Sequence, residues 1–83
     1  MGNDDNKPQI AATLDMVGYF CPEPVIRVNE EIEAVGVGEV LELLADDPSS
    51  ESDVRSWARR TGHELLSVEK AGSAFRFLIR RKA

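Results

Sequence analysis

The stretch DMVGYFCPEPVIRVNEEIEAVGVG, residues 15–38, decides how this chain folds. From Pro22 onward Val25, Val28, Ile32 and Val35 recur at intervals of three or four, marking one apolar face of a helix, while Arg27, Glu30, Glu31 and Glu33 take the polar side. Gly36 and Gly38 end it. Pro22 suits the first helical position, since its ring fixes φ and its missing N–H needs no partner there. Cys21 is then expected at the N-cap, with its sulfur near the first-turn amides and the positive end of the peptide dipoles.

Reading outward, residues 10–14 suit a short first strand, and EVLELLAD, residues 39–46, a second one bounded by glycine, aspartate and Pro48. A helix between two such strands makes a right-handed crossover, so the strands are expected to be parallel. The segment SSESDVRSWARRTG, residues 49–62, predicts a second helix. Ser50 with Asp53 forms a capping-box pattern, Val54, Trp57, Ala58 and Thr61 line its inner face, and Gly62 closes it. ELLSVEK and AFRFLIRR then read as a hairpin turning around Ala71 and Gly72. In its last strand Phe75, Phe77 and Ile79 share one face, with Arg76, Leu78 and Arg80 on the other. The expected fold is an α/β (α+β) two-layer sandwich of order βαβαββ, a mixed four-stranded sheet with both helices on one face. Residues 10–83 are expected to form a single domain behind a frayed tail at residues 1–9, without internal repeats.

Composition bounds the function. With 83 residues, 42% hydrophobic and 30% charged, the core must be economical. A net charge of −5 argues against general affinity for nucleic acid, and direct nucleic-acid binding is not expected. The charge is nonetheless uneven: acidic residues dominate the first half, whereas Arg55, Arg59, Arg60, Arg76, Arg80, Arg81 and Lys82 load the second. No apolar run approaches the roughly 18 residues of a membrane span, and the polar opening lacks signal-peptide character, so a cytoplasmic protein without membrane partners is expected. One cysteine excludes an internal disulfide and a two-cysteine redox cycle. With one histidine beside it, the chain offers no zinc set, and no metal or cofactor is expected.

Any chemistry at Cys21 therefore needs a second molecule. A helix terminus alone acidifies a thiol weakly, both prolines delete amides that would have faced the sulfur, and Glu23 adds a negative charge. The motif reads as a stiff mount that presents the thiol to a partner. The competing reading is a structural cysteine in a binding or regulatory module, since free cysteine is commonly buried. Against it, Cys21 lies outside the apolar stripe and follows a glycine-containing loop.

These residues resemble the TusA/SirA family of small sulfur-carrier proteins, whose hallmark is Cys-Pro-x-Pro at the start of the first helix, here Cys21, Pro22, Glu23 and Pro24. The resemblance takes in Leu14 and Asp15 ahead of Gly18, Gly38 and Glu39, ADDP at residues 45–48, Asp53, GHEL at residues 62–65 and the closing FRFLIRR. It implies that Cys21 accepts sulfane sulfur as a persulfide from a cysteine desulfurase or rhodanese-like donor and passes it to a downstream acceptor. The family's uses include 2-thiouridine formation in tRNA, molybdenum-cofactor synthesis and sulfur oxidation. The chain would be a persulfide carrier of sulfurtransferase type rather than an enzyme with independent turnover. Phe20 departs from relatives of the tRNA-thiolation type, which often carry a basic residue there.

Pro22, Glu23, Pro24, Gly18 and Asp15 are the expected supports of the site. Asp15, Glu23, Asp46 and Asp47 would surround it with negative charge and select basic partners, although Asp46 and Asp47 equally suit helix capping and chain turning, and Asp15 a hydrogen bond to the next loop. His63 is read as structural rather than as a proton carrier. A carrier that docks twice through one small surface is expected to be monomeric. A third reading, an RNA-binding domain, would rest on Arg76 and Arg80.

Overall fold

The computed structural model describes residues 9–82. Most of the expected N-terminal tail, residues 1–8, lies outside them. The strands are β1 (Ile10–Met16), β2 (Val40–Ala45), β3 (Glu64–Ala71) and β4 (Ala74–Arg80), and the helices α1 (Glu23–Glu31) and α2 (Ser50–Thr61). A turn of 3₁₀ helix, Ile32–Ala34, prolongs α1. The strand order is β1-β2-β4-β3, with β1 and β2 parallel and the other pairs antiparallel. This is the mixed four-stranded sheet with two helices that the sequence predicts.

The two-residue alternation sorts the sheet into faces. Leu41 pairs with Ile79, Leu43 with Phe77 and Ala45 with Phe75. These six form one buried cluster with Val28, Ile32 and Val35 of the first helical segment and Val54, Trp57 and Ala58 of α2. Pro24 is also buried in α1. Burying large side chains contributes about 1.5–3 kcal/mol each, and the facing apolar surfaces of helices and strands have no other partner. Between α1 and α2, Trp57 Nε1 donates to Asn29 Oδ1 at 2.9 Å.

The outer face is a charge ladder. Glu42 accepts from Thr13 Oγ1 at 2.8 Å and from Arg76 Nε, while Arg76 Nη1 reaches Glu69 at 3.2 Å and Arg80 Nη1 reaches Glu64 at 3.3 Å. Arg81 Nη1 donates to the carbonyls of Glu33 and Val35 at 3.0 and 2.7 Å, satisfying backbone acceptors where the first helical segment ends. The arginines that suggested an RNA-binding strand, Arg76 and Arg80, are paired with carboxylates of neighbouring strands.

Three local expectations are corrected. Helix α1 starts at Glu23 with Pro22 as its N-cap, so Cys21 stands one residue before the cap rather than at it. Helix α2 is capped by Ser49, and Ser50 is its first residue, with a buried Oγ that meets no partner among the described residues. Asp53 does not close a capping box: its carboxylate accepts from Cys21 instead. Gly62 ends α2 at φ +86, in the left-handed region glycine favours.

Candidate functional site

In a parallel pair, the loops that leave the carboxyl ends of both strands emerge at the same edge, where α/β proteins commonly place their sites. Here those loops are residues 17–22 after β1 and residues 46–49 after β2. The register carries Asp15 opposite Leu44 and Met16 opposite Ala45. The aspartates that follow Ala45 therefore reach across to the loop carrying the cysteine.

Each loop turn is held by one of them. Val17 N donates to Asp15 Oδ1 at 3.0 Å, and Gly18 N to Asp46 Oδ1 at 2.9 Å, with Gly18 at φ +93. Cys21 N donates to Asp47 Oδ2, while Asp47 Oδ1 accepts from the amide and the hydroxyl of Ser49, each at 3.0 Å. These donors, the Ser49 and Cys21 amides foremost, hold the Asp47 carboxyl below its ordinary range. Asp46 and Asp47 thus clamp the cysteine loop to the start of α2.

The thiol is exposed, as the sequence predicts. Its electrostatic setting is governed by a carboxylate rather than by the helix tip. Sγ donates to Asp53 Oδ2 at 2.6 Å, from the first turns of α2, and does not face the α1 amides. The hydrogen bond to Asp53 and the charges of Asp53 and Asp47 push the thiol above its ordinary value of 9.0, with the Ser49 hydroxyl opposing them. A thiol that donates to a carboxylate is stabilised in its protonated form, and a nearby negative charge disfavours thiolate. The weak acidification expected of the helix tip is opposed by a contact made across 32 residues of sequence.

Cys21, Pro22, Val25, Asp53, Ser56 and Arg60 line a groove of about 210 Å³ between α1 and α2. A second depression shares Val25 and Arg60 and continues along the helices past Ile26, Asn29 and Trp57. Beside the thiol, Phe20 is 76% exposed and Tyr19 51% exposed. Of the remaining site residues, Glu23 opens α1 with an exposed side chain, its amide donating to the Phe20 carbonyl at 2.9 Å. The peptide bond between Cys21 and Pro22 is cis. His63 lies elsewhere: its ring packs beside Trp57, and its Nδ1 accepts from the Lys82 amide at 3.2 Å. Burial, then the Arg81 charge, lowers its pKa.

Sequence reasoning missed Asp53, Ser49 and Arg60 as members of the site. The signal was the predicted parallel pairing, which already brought the loops after β1 and β2 together.

Comparison with known proteins agrees with this fold. A family model described as Sulfurtransferase TusA matches residues 12–81. A putative sulfur carrier protein of Archaeoglobus fulgidus is 41% identical over 68 residues, covering 81% of this chain and 88% of that protein. The sulfur carrier protein TusA of Allochromatium vinosum is 38% identical over 68 residues, covering 82% of this chain and 90% of its own. The crystal structure of a SirA-like protein from Desulfitobacterium hafniense superposes with a TM-score of 0.74 at 27% identity, covering 87% of this chain and 99% of that one.

Proposed function

The chain belongs to the sulfurtransferase TusA family, and from that membership and the exposed thiol of Cys21 we propose that it is a sulfur carrier loaded as a persulfide on that residue. The observation that carries this reading is a single accessible thiol, fixed through its own amide and set at the lip of a groove.

Loading is attack by Cys21 sulfur on the outer sulfur of a donor persulfide. A bond forms from Sγ to that sulfur, the donor's S–S bond breaks, and the donor leaves as a thiolate that retains the bonding pair. The Cys21 proton passes to solvent or to the departing thiolate. Delivery repeats the step, with Cys21 as the leaving group. Nothing in either exchange requires a second cysteine in this chain. Pro22 and Pro24 restrict the backbone around Glu23, while Asp15 and Gly18 shape the preceding turn, so the thiol is offered at a fixed angle.

The donor is a cysteine desulfurase or rhodanese-like protein, and the acceptor serves tRNA 2-thiouridine formation, molybdenum-cofactor synthesis or sulfur oxidation. The carrier acts as a cytoplasmic monomer; among the described residues no helix is long and apolar enough to cross a membrane. Incubation with a cysteine desulfurase and cysteine, followed by intact-mass analysis, is expected to add one sulfur atom to the wild type and none to Cys21→Ala. A wild type left unmodified by desulfurase and rhodanese donors alike would overturn the reading.

A further inference from the structure

The groove beside Cys21 is electrically polar along its length. Asp53 lies at the thiol end, and Arg60, seven residues later on the same helix, lies at the other. Seven residues at 1.5 Å each separate them by about 10 Å, and two turns bring them to nearly the same face. Both groups have unused capacity. Asp53 spends Oδ2 on the thiol, whereas its Oδ1 meets no donor among the described residues. Arg60 is exposed and forms no hydrogen bond or ion pair among the described residues, in contrast to Arg27, Arg55, Arg76 and Arg80, which all pair with glutamates. Between the two ends the lining is Val25, Pro22 and Ser56, which offers little polar competition.

We propose that this groove receives an extended segment of the sulfur-donating protein that carries a basic side chain beside its reactive sulfur, paired with Asp53, and an acidic side chain about 10 Å further on, paired with Arg60. The proposal rests on the sulfur-carrier reading and adds the chemistry of the docking segment and its direction along the groove. The donor is the occupant, because it meets Cys21 as a free thiol. A cation brought to Asp53 Oδ1 competes for the carboxylate that holds the thiol proton and offsets the negative charge that opposes thiolate formation. The acceptor meets a Cys21 that is already loaded and is itself the attacking group, so it has no use for that release. In an extended strand only every second side chain points the same way, so the two charges stand four residues apart, a span of about 13 Å that long side chains match to the separation of Asp53 and Arg60.

The test uses short synthetic peptides whose single cysteine is activated as a 2-thiopyridyl disulfide, so that it reports docking without any persulfide. Cys21 sulfur attacks the peptide sulfur, a Cys21–peptide disulfide forms, the peptide–pyridyl S–S bond breaks, and pyridine-2-thione is released and read by absorbance. The thiol proton passes to buffer. One peptide carries Lys next to cysteine and Glu four residues after that Lys; the other has these two charges exchanged. At low ionic strength the wild type is expected to react with the first at least about fivefold faster, the product of two attractive pairs against two repulsive ones at exposed sites. The ratio should shrink toward one in high salt. Asp53→Asn and Arg60→Gln should each reduce the ratio and the double variant bring it to about one, with each variant's circular dichroism matching the wild type. Equal rates for the two peptides in the wild type, or a preference that survives both substitutions, would overturn the proposal. Because the electrophile is a disulfide, that failure is distinct from a failure of persulfide loading.

Discussion

The contact between Trp57 and Asn29 sets the spacing of the two helices that form the groove, and Asn29→Ala isolates its worth. Trp57 is 1% exposed, and its indole N–H donates to an Asn29 side chain that lies on the exposed side of α1. Removing the amide leaves no cavity in the core. It leaves the indole donor without its protein partner, which costs about 1–3 kcal/mol when the donor is buried. The same substitution puts the best helix former in place of a poor one inside α1, which returns up to about 0.7 kcal/mol. The two terms leave a net loss of about 0.3–2.3 kcal/mol. The groove past Trp57 is open, so water replaces part of the lost bond and the expected value falls in the lower half of that range.

Urea unfolding followed by far-ultraviolet circular dichroism, which also reads the Trp57→Phe background, measures the loss directly. With a slope of about 1 kcal/mol/M for a domain of this size, the midpoint should fall by roughly 0.3–1.3 M at unchanged slope. Asn29→Asp, which keeps an acceptor in place, should lose less. Trp57→Phe removes the donor, so Asn29→Ala made in that background should cost nothing beyond the propensity gain. A wild-type midpoint for Asn29→Ala, or the same cost with and without the indole, would refute the assignment of the bond as a tie between α1 and α2.

Two further outcomes follow from the electrostatics. Asp53→Asn removes the carboxylate that raises the thiol pKa, so alkylation of Cys21 by iodoacetamide should speed up at neutral pH and level off at a lower alkaline plateau, because nucleophilicity falls with pKa; a profile that is unchanged or displaced to higher pH would exclude Asp53 as the cause. Glu42 is held below its ordinary value of 4.5 by Arg76 and Thr13. A depressed folded-state pKa means that the unfolded chain binds more protons in this window, so the stability it contributes is fully present above about pH 4.5 and is lost as pH falls through the folded value. Glu42→Gln should therefore flatten the acid limb of stability against pH, and an identical limb in the variant would contradict the ladder's role.

The fold was legible because its signals were periodic. Val28, Ile32 and Val35 at helical spacing and Phe75, Phe77 and Ile79 at strand spacing each pointed to one surface, and burial selects that reading whatever the neighbours are. Gly62 was legible for a local reason, as the left-handed residue that ends α2. The cysteine was legible as a residue to present, but its chemistry was not. Serine, aspartate and proline in ADDPSSESD satisfy capping, turn and clamp roles equally well on paper, and a pattern of Ser50 with Asp53 cannot show that Asp53 faces another loop. The choice among those roles is made by tertiary distance, here across 26 residues for Asp47 to Cys21 and 32 for Asp53 to Cys21. Local statistics of helix ends carry no information on that scale.

A raised thiol pKa is at odds with the proposed loading of Cys21 until the free and docked states are considered separately. An exposed thiolate reacts with oxidants and electrophiles indiscriminately, and a carrier spends its time between partners with this atom in solvent. Holding the proton on sulfur through Asp53 slows every such reaction alike. It slows the productive one only if the partner leaves Asp53 untouched. A partner that brings a cation to Asp53 changes the environment in the docked state alone, and only an interaction that differs between two states can shift the balance between them. Under the proposed docking, Asp53 therefore makes the reactivity of the Cys21 thiol depend on which partner is bound.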